Sequence, residues 1–231
     1  MENKSVILFF ARTASAEMQT KILCGFSHKA NAKIHHLLYK KTIGEIYKTG
    51  LPVVVCDQIK QQGNNFASRL HHAIQSCFDD GYNSVITVGS DCPHLKAADI
   101  LHCQKELIKG NNVVGPDNRG GIYLLGIQQK QFSTIDLHNI QWNSTKVLSQ
   151  IKASFSSIQT AIYLLATLVD LNSQKDFSHL FKHAANNIFL QILHDILHSK
   201  RFHFLSYAHF FTPLSFIAIK KFRGPPAMLF I

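Results

Sequence analysis

The carboxylate of Asp91 has the setting in this chain that best suits chemistry. It follows the run Val85-Ile86-Thr87-Val88 and lies in the turn Gly89-Ser90-Asp91-Cys92-Pro93. A short apolar run bounded by Gly and Pro reads as a strand buried on both faces of a parallel sheet. Open α/β sheets bind ligands at the carboxyl edge, where such a strand delivers its last residues. A carboxylate placed there can hold a metal ion or a ribose hydroxyl. It can also close its own turn by bonding to the backbone, and the turn alone does not separate these roles.

A second segment carries further candidates. Val113-Val114-Gly115-Pro116 leads into Asp117-Asn118-Arg119-Gly120-Gly121 and then Ile122-Tyr123-Leu124-Leu125-Gly126. This reads as strand, loop, strand. The two adjacent glycines permit dihedrals closed to other residues and let a ligand approach the main chain; a plain Gly-Gly hairpin turn is the competing reading. His194 and His198 echo a His-x-x-x-His zinc pattern, but no third ligand is apparent, and a solvated helix face accounts for them better. His35-His36 and His71-His72 are adjacent pairs, which on a helix point in different directions. The five cysteines form no Cys-x-x-Cys pair. Their odd number fits reduced thiols, and Cys92 reads as a small buried apolar residue.

Taken together, the two segments resemble the bacterial glycosyltransferase-A-like family known as domain of unknown function 2064. That family carries Gly-Ser-Asp-x-Pro at a strand end, matched by Gly89, Ser90, Asp91 and Pro93, and then Gly-Pro-x-x-Asp-Gly-Gly-Tyr-x-Leu-x-Gly. Gly115, Pro116, Gly120, Gly121, Tyr123, Leu124 and Gly126 fit the second motif, with Tyr123 one place late. Gly63 to Arg69 resembles the family's Gly-x-x-Phe-x-x-Arg helix start, Trp142 with Ser144-Thr145 its Trp-Ser/Thr segment, and Leu168 to Asn172 its Leu-x-Asp-x-Asp/Asn strand end. The resemblance runs over residues 5 to 185. Two departures stand out. The family's Asp before Gly-Gly is Arg119 here, and its glycine-rich first turn followed by Lys-Thr-Arg is replaced by residues 12 to 21, where Arg12, Thr20 and Lys21 remain comparable.

The resemblance implies a three-layer α/β fold with a mostly parallel sheet, of the nucleotide-diphospho-sugar transferase kind. It implies an enzyme that transfers a group from a nucleotide-activated donor, a nucleotide sugar above all. The alternatives are a nucleotidyltransferase acting on a phosphorylated metabolite and a non-catalytic nucleotide or polyanion binder. A diphosphate leaving group is neutralised in such chemistry by a divalent cation, Mg or Mn, together with basic side chains. The expected roles are Asp91 and Arg119 as catalytic residues, with Asp91, Asp117 and Asp170 as metal ligands. Arg12, Lys21, Arg69 and Ser90 are expected on the nucleotide. Gly120 and Gly121 would shape the loop on the acceptor side. Asp170 has a second reading as a helix cap, and Arg69 one as a structural ion-pair partner. Arg119 is expected to face the ligand cleft and supply part of the metal's charge, with Asp117 taking over the lost carboxylate.

The elements that must position these groups follow from composition and period. The chain has 231 residues, enough for one ordinary domain with a real core. Its formal net charge of +10 favours anionic partners. The basic residues are dispersed, so a nucleotide is expected as partner and a nucleic acid is not. Strands are expected at 6–10, 51–57, 85–88, 113–114, 122–127 and 162–165, and helices at 30–48, from 66 to about 78, at 97–109 and at 144–151. This alternation argues for βαβ units. A long amphipathic pattern runs from Asp176 to Leu197. The domain is expected to span 1–200. An aromatic, basic extension covers 201–231, in which Pro225-Pro226 blocks a helix and which offers a surface for homodimer contact. The opening residues lack the apolar core of a signal peptide, and no stretch is long enough to span a bilayer; a cytoplasmic protein is expected.

Overall fold

In the computed structural model, residues 4–181 and 187–198 are described. The expectations for 201–231 and for the centre of the long amphipathic pattern lie outside them.

The first apolar run forms β1 (Ser5–Phe10), buried along its whole length. It is flanked by β2 (Val53–Cys56) and β3 (Ser84–Val88), both parallel to it. On the other side of β3 the chain builds β4 (Asn112–Pro116) and β5 (Ile122–Gln128), and the short β6 (Ile162–Leu164) closes the sheet. The strand order is β2-β1-β3-β5-β4-β6. Strand β5 is antiparallel to both of its neighbours, whereas β4 and β6 are parallel. Five strands therefore run one way and one runs against them, giving the mostly parallel α/β sheet expected.

Helices cover both faces. Alternation along β1 sends Val6, Leu8 and Phe10 to one face and Ile7 and Phe9 to the other. The first face packs against α3 (Phe66–Asp79) through Leu70, Ile74 and Phe78, and against α6 (Val147–Ser157) through Val147, Ile151 and Phe155. The second packs against Ile46 of α2 (His28–Lys48) and against Ile100, Cys103 and Leu107 of α4 (Ala97–Ile108). All five cysteines are buried free thiols.

The structure adds one element and corrects two expectations. Residues 14–20, which replace the family's glycine-rich turn, form the helix α1 (Ala14–Thr20), capped by the Thr13 hydroxyl, which accepts from the Ala16 amide. Ala, Glu, Met and Gln are good helix formers and no glycine interrupts them. The helix expected from 144 begins at Val147, and Thr145 before it lies against Gly120. A short α5 (Gln129–Phe132) follows β5. The amphipathic pattern after Asp176 is not one helix: a brief α7 (Phe177–Leu180) precedes a separate α8 (Ile188–His198). Phe177, Leu180, Leu190, Leu193, Ile196 and Leu197 share a cluster with Ile34 and Leu38 of α2. Apolar spacing identified what is buried, but it does not report whether the helix is continuous. Among the described residues no helix is long and apolar enough to cross a membrane.

Candidate functional site

Because β1, β3, β4 and β6 run the same way, their following loops gather at one edge of the sheet. Arg12 follows β1, Asp91 follows β3, Asp117 follows β4, and Asp170 lies beyond β6. A cavity of about 860 Å³ opens there, and all four residues line it. Ser90, Lys21, Arg69, Arg119 and Gly121 line it too.

Two backbone links set its centre. The Leu171 amide donates to the Asp91 carbonyl at 2.9 Å, which ties the Asp170 segment to the end of β3. Lys21 is the residue that closes α1, its amide donating to the Glu17 carbonyl. The Lys21 ammonium lies 2.6 Å from Asp91 Oδ2, with side-chain exposures of 11% and 27%. Two groups expected to meet separate parts of a ligand thus meet each other. Asp170, whose Oδ2 accepts from the Asn172 side chain at 3.1 Å, is pushed up to about 7 by burial first and by the Asp91 charge second. Glu17, which no sequence signal singled out, also lines this part of the cavity and is raised by burial and then by Asp91. Three acids and one lysine therefore share one electrostatic environment. Arg12 is exposed and donates to the Thr20 hydroxyl at 3.0 Å.

Asp117 behaves differently. It is 8% exposed. Its Oδ1 accepts from the amides of Arg119 (2.7 Å) and Gly121 (2.8 Å), closing the β4–β5 hairpin. A Cβ on Gly121 would collide with the other carboxylate oxygen. Gly120 has φ +84°, and a Cβ there would run into the Thr145 carbonyl, while the Gly120 carbonyl accepts from the Leu148 amide at the start of α6. The close approach that these glycines permit is made by the protein's own Thr145 and Asp117. Both glycines are thus required by the protein's own packing, and Asp117 Oδ1 is engaged by its own loop.

Arg119 lines the cavity, as expected of its side chain, yet its Nη1 donates to both Asp176 oxygens at 3.3 and 3.4 Å. Asp176 also accepts from the amides of Asn172 and Ser173 at 2.8 and 2.7 Å. The guanidinium thus clamps the segment carrying Asp170 to the hairpin. In this arrangement its charge answers Asp176.

The fit to a divalent cation can be tested on these contacts. Among the described residues no three His, Cys, Asp or Glu side chains form a metal cage. Magnesium, however, is commonly held by one or two carboxylates together with substrate phosphates. Asp91 and Asp170 meet that requirement, with Lys21 as the group they would exchange. His194 and His198 stack at 4.0 Å on α8, and among the described residues no third ligand joins them.

The opposite wall of the cavity is aromatic. Phe66 and Trp142 lie 5.0 Å apart, and Phe10 meets Phe66 edge-on at 5.7 Å. Arg69 stands one turn into α3. Gly63, with φ +133°, lies so close to the start of this helix that a Cβ would come within 2.7 Å of Ser68 Cβ.

Residues 31–144 match the model of a family described as an uncharacterized protein conserved in bacteria, domain of unknown function 2064. Over those residues the chain is similar to this family. The match contains Arg69, Asp91, Asp117 and Arg119 and leaves Arg12, Lys21 and Asp170 outside it. A solved structure of a proposed nucleotide-diphospho-sugar transferase from Desulfovibrio desulfuricans G20 superposes with a TM-score of 0.65 at 20% identity, covering 83% of this chain and 94% of that one. The fold is therefore that of a nucleotide-diphospho-sugar transferase. A cytidylyltransferase from Leptospira borgpetersenii serovar Hardjo-bovis is less similar, with a TM-score of 0.49 at 9% identity over 87% and 99% of the two chains. No curated protein matches the sequence.

Proposed function

We propose that this chain is a transferase acting on a nucleotide-activated donor, with a nucleotide sugar as the donor class. One observation carries the reading: Lys21, Asp91 and Asp170 converge with Arg12 at the carboxyl edge of a nucleotide-diphospho-sugar transferase fold. Lys21 and Arg12 supply positive charge for a diphosphate, whose departure needs its developing charge neutralised in a partly water-excluded site. Asp91 and Asp170 would hold a divalent cation that arrives with the diphosphate, and when bound that cation adds further charge neutralisation. Lys21 would then direct its ammonium to the phosphate oxygens. Ser90, beside Asp91, contributes a hydroxyl for the ribose or phosphate. The nucleotidyltransferase alternative would call for a glycine-rich first loop, and residues 14–20 are helical instead.

A thermal-shift screen against nucleoside diphosphates and nucleotide sugars, each with Mg²⁺, with Mn²⁺ and with chelator, tests this reading. The expected result is a rise in Tm with a nucleotide diphosphate that grows when the cation is present. Equal rises with cation and with chelator would assign the phosphates to Lys21 and Arg12 alone. No rise with any nucleotide would overturn the reading.

A further inference from the structure

The cationic residues lining the cavity do not all have partners. Lys21 pairs with Asp91 and Arg119 with Asp176. Arg69 pairs with no carboxylate among the described residues, and its Nε is fully buried with no hydrogen-bond partner. A second orphan lines the same cavity: the Oγ1 of Thr87, a residue 9% exposed, is likewise buried and unpartnered. Thr87 is two residues beyond Val85 on β3. Alternation therefore turns both to the sheet face on which α3 packs, and α3 carries Arg69. Lys21, in contrast, is tied to the other helical layer, its carbonyl contacting His35 Nε2 of α2 at 2.9 Å. The two ends of the cavity thus rest on opposite faces of the sheet.

Buried polar groups are nearly always bonded, because leaving one unbonded forfeits its hydration without return. Two orphans in one cavity wall mark a place where a ligand completes the bonding. The chemistry of that ligand follows from the donors. The Nε–H and a neighbouring Nη–H form the side of a guanidinium that grips two oxygens of a carboxylate or phosphate in parallel. The Thr87 hydroxyl adds a third donor. The adjoining surface, Phe66 and Trp142, is flat and apolar, and the Trp142 Nε1–H is already spent on the Leu137 carbonyl at 3.0 Å, so only its ring faces a ligand. We infer that the α3 side of the cavity is the acceptor subsite, and that it selects a small molecule bearing an oxyanion next to a planar or apolar ring. Its role as acceptor site rests on the transferase reading; its capacity to bind such an anion does not.

Binding of phenyl phosphate and of benzoate to the full chain, by calorimetry, tests the inference and separates the two oxyanion classes. At least one of the two should bind. The Arg69→Lys and Thr87→Val variants, which keep size and fold best, should each weaken it at least tenfold. Arg12→Ala should leave it unchanged while weakening a nucleoside diphosphate. The Arg69 Nε–H resonance, identified by its loss in Arg69→Lys, should move on titration with the bound probe. Failure of both probes to bind, or equal weakening by Arg12→Ala and Arg69→Lys, would overturn the inference. A chain that binds phenyl phosphate or benzoate through Arg69 but binds no nucleotide would retain the subsite and lose the transferase reading.

Discussion

Asp91 and Asp117 follow strands that run the same way, β3 and β4, and both line the same cavity. Their surroundings divide them. Asp117 sits in a five-residue hairpin loop whose amides at 119 and 121 turn inward, so its carboxylate is consumed by the loop's own backbone. Asp91 sits in a turn that ends at Pro93 and continues into α4. No hydrogen bond from a nearby amide claims its side chain, which pairs instead with Lys21, seventy residues away in sequence. Position at a strand end therefore does not by itself leave a carboxylate free for a ligand. What counts is whether the local amides reach it first.

The sharpest way to break this comparison is to remove the carboxylate of Asp117. Asp117→Ala would strand two inward amides, at a cost of about 3 kcal/mol of stability. Calorimetry should then record a Tm lower by roughly 6–12 °C. An unchanged Tm would show that the hairpin does not depend on this carboxylate. Asp91→Asn should act on the other side of the contrast. Once a donor is identified, turnover should fall at least tenfold, about 1.4 kcal/mol in barrier, while Tm changes less than in Asp117→Ala. Wild-type turnover in that variant would remove Asp91 from the chemistry.

Asp170 adds a dependence on pH. Its folded value of about 7 lies above the ordinary 3.8, because of burial and the neighbouring Asp91 charge. The folded state thus holds a proton that the unfolded chain has already lost, and the favourable contribution is complete below pH 3.8 and disappears as pH rises through 7. Tm should fall by a few degrees, roughly, across that window. Asp170→Asn should flatten the slope, and an equally steep profile in that variant would exclude Asp170 as its source. The smallest effect is expected at Arg119. The pair with Asp176 is partly exposed, so Arg119→Ala should cost only about 0.5 kcal/mol, and metal-free affinity for a nucleoside diphosphate should be unchanged. A tenfold loss of that affinity would place the guanidinium on the phosphates after all.

The strands, the principal helices and the location of Asp91 were legible in the sequence because they depend on local properties. Val85 to Val88 read as a buried strand because Gly and Pro bound a short, β-branched run, which fixed where Asp91 emerges, and the spacing from Phe66 to Phe78 fixed the buried side of α3. The sheet's direction followed from alternation of strand and helix, apart from β5, whose insertion between β3 and β4 depends on hairpin pairing. The pairing of side chains was not legible. Lys21 with Asp91, Arg119 with Asp176, and the isolation of Arg69 and Thr87 all join or separate residues far apart in the chain. Which charges meet is set by how loops from different strands converge at one sheet edge, and no local pattern records that distance. The roles of Gly120 and Gly121 show the same division: the sequence required backbone freedom there, and only tertiary packing decided that Thr145 and Asp117, rather than a ligand, would occupy the space.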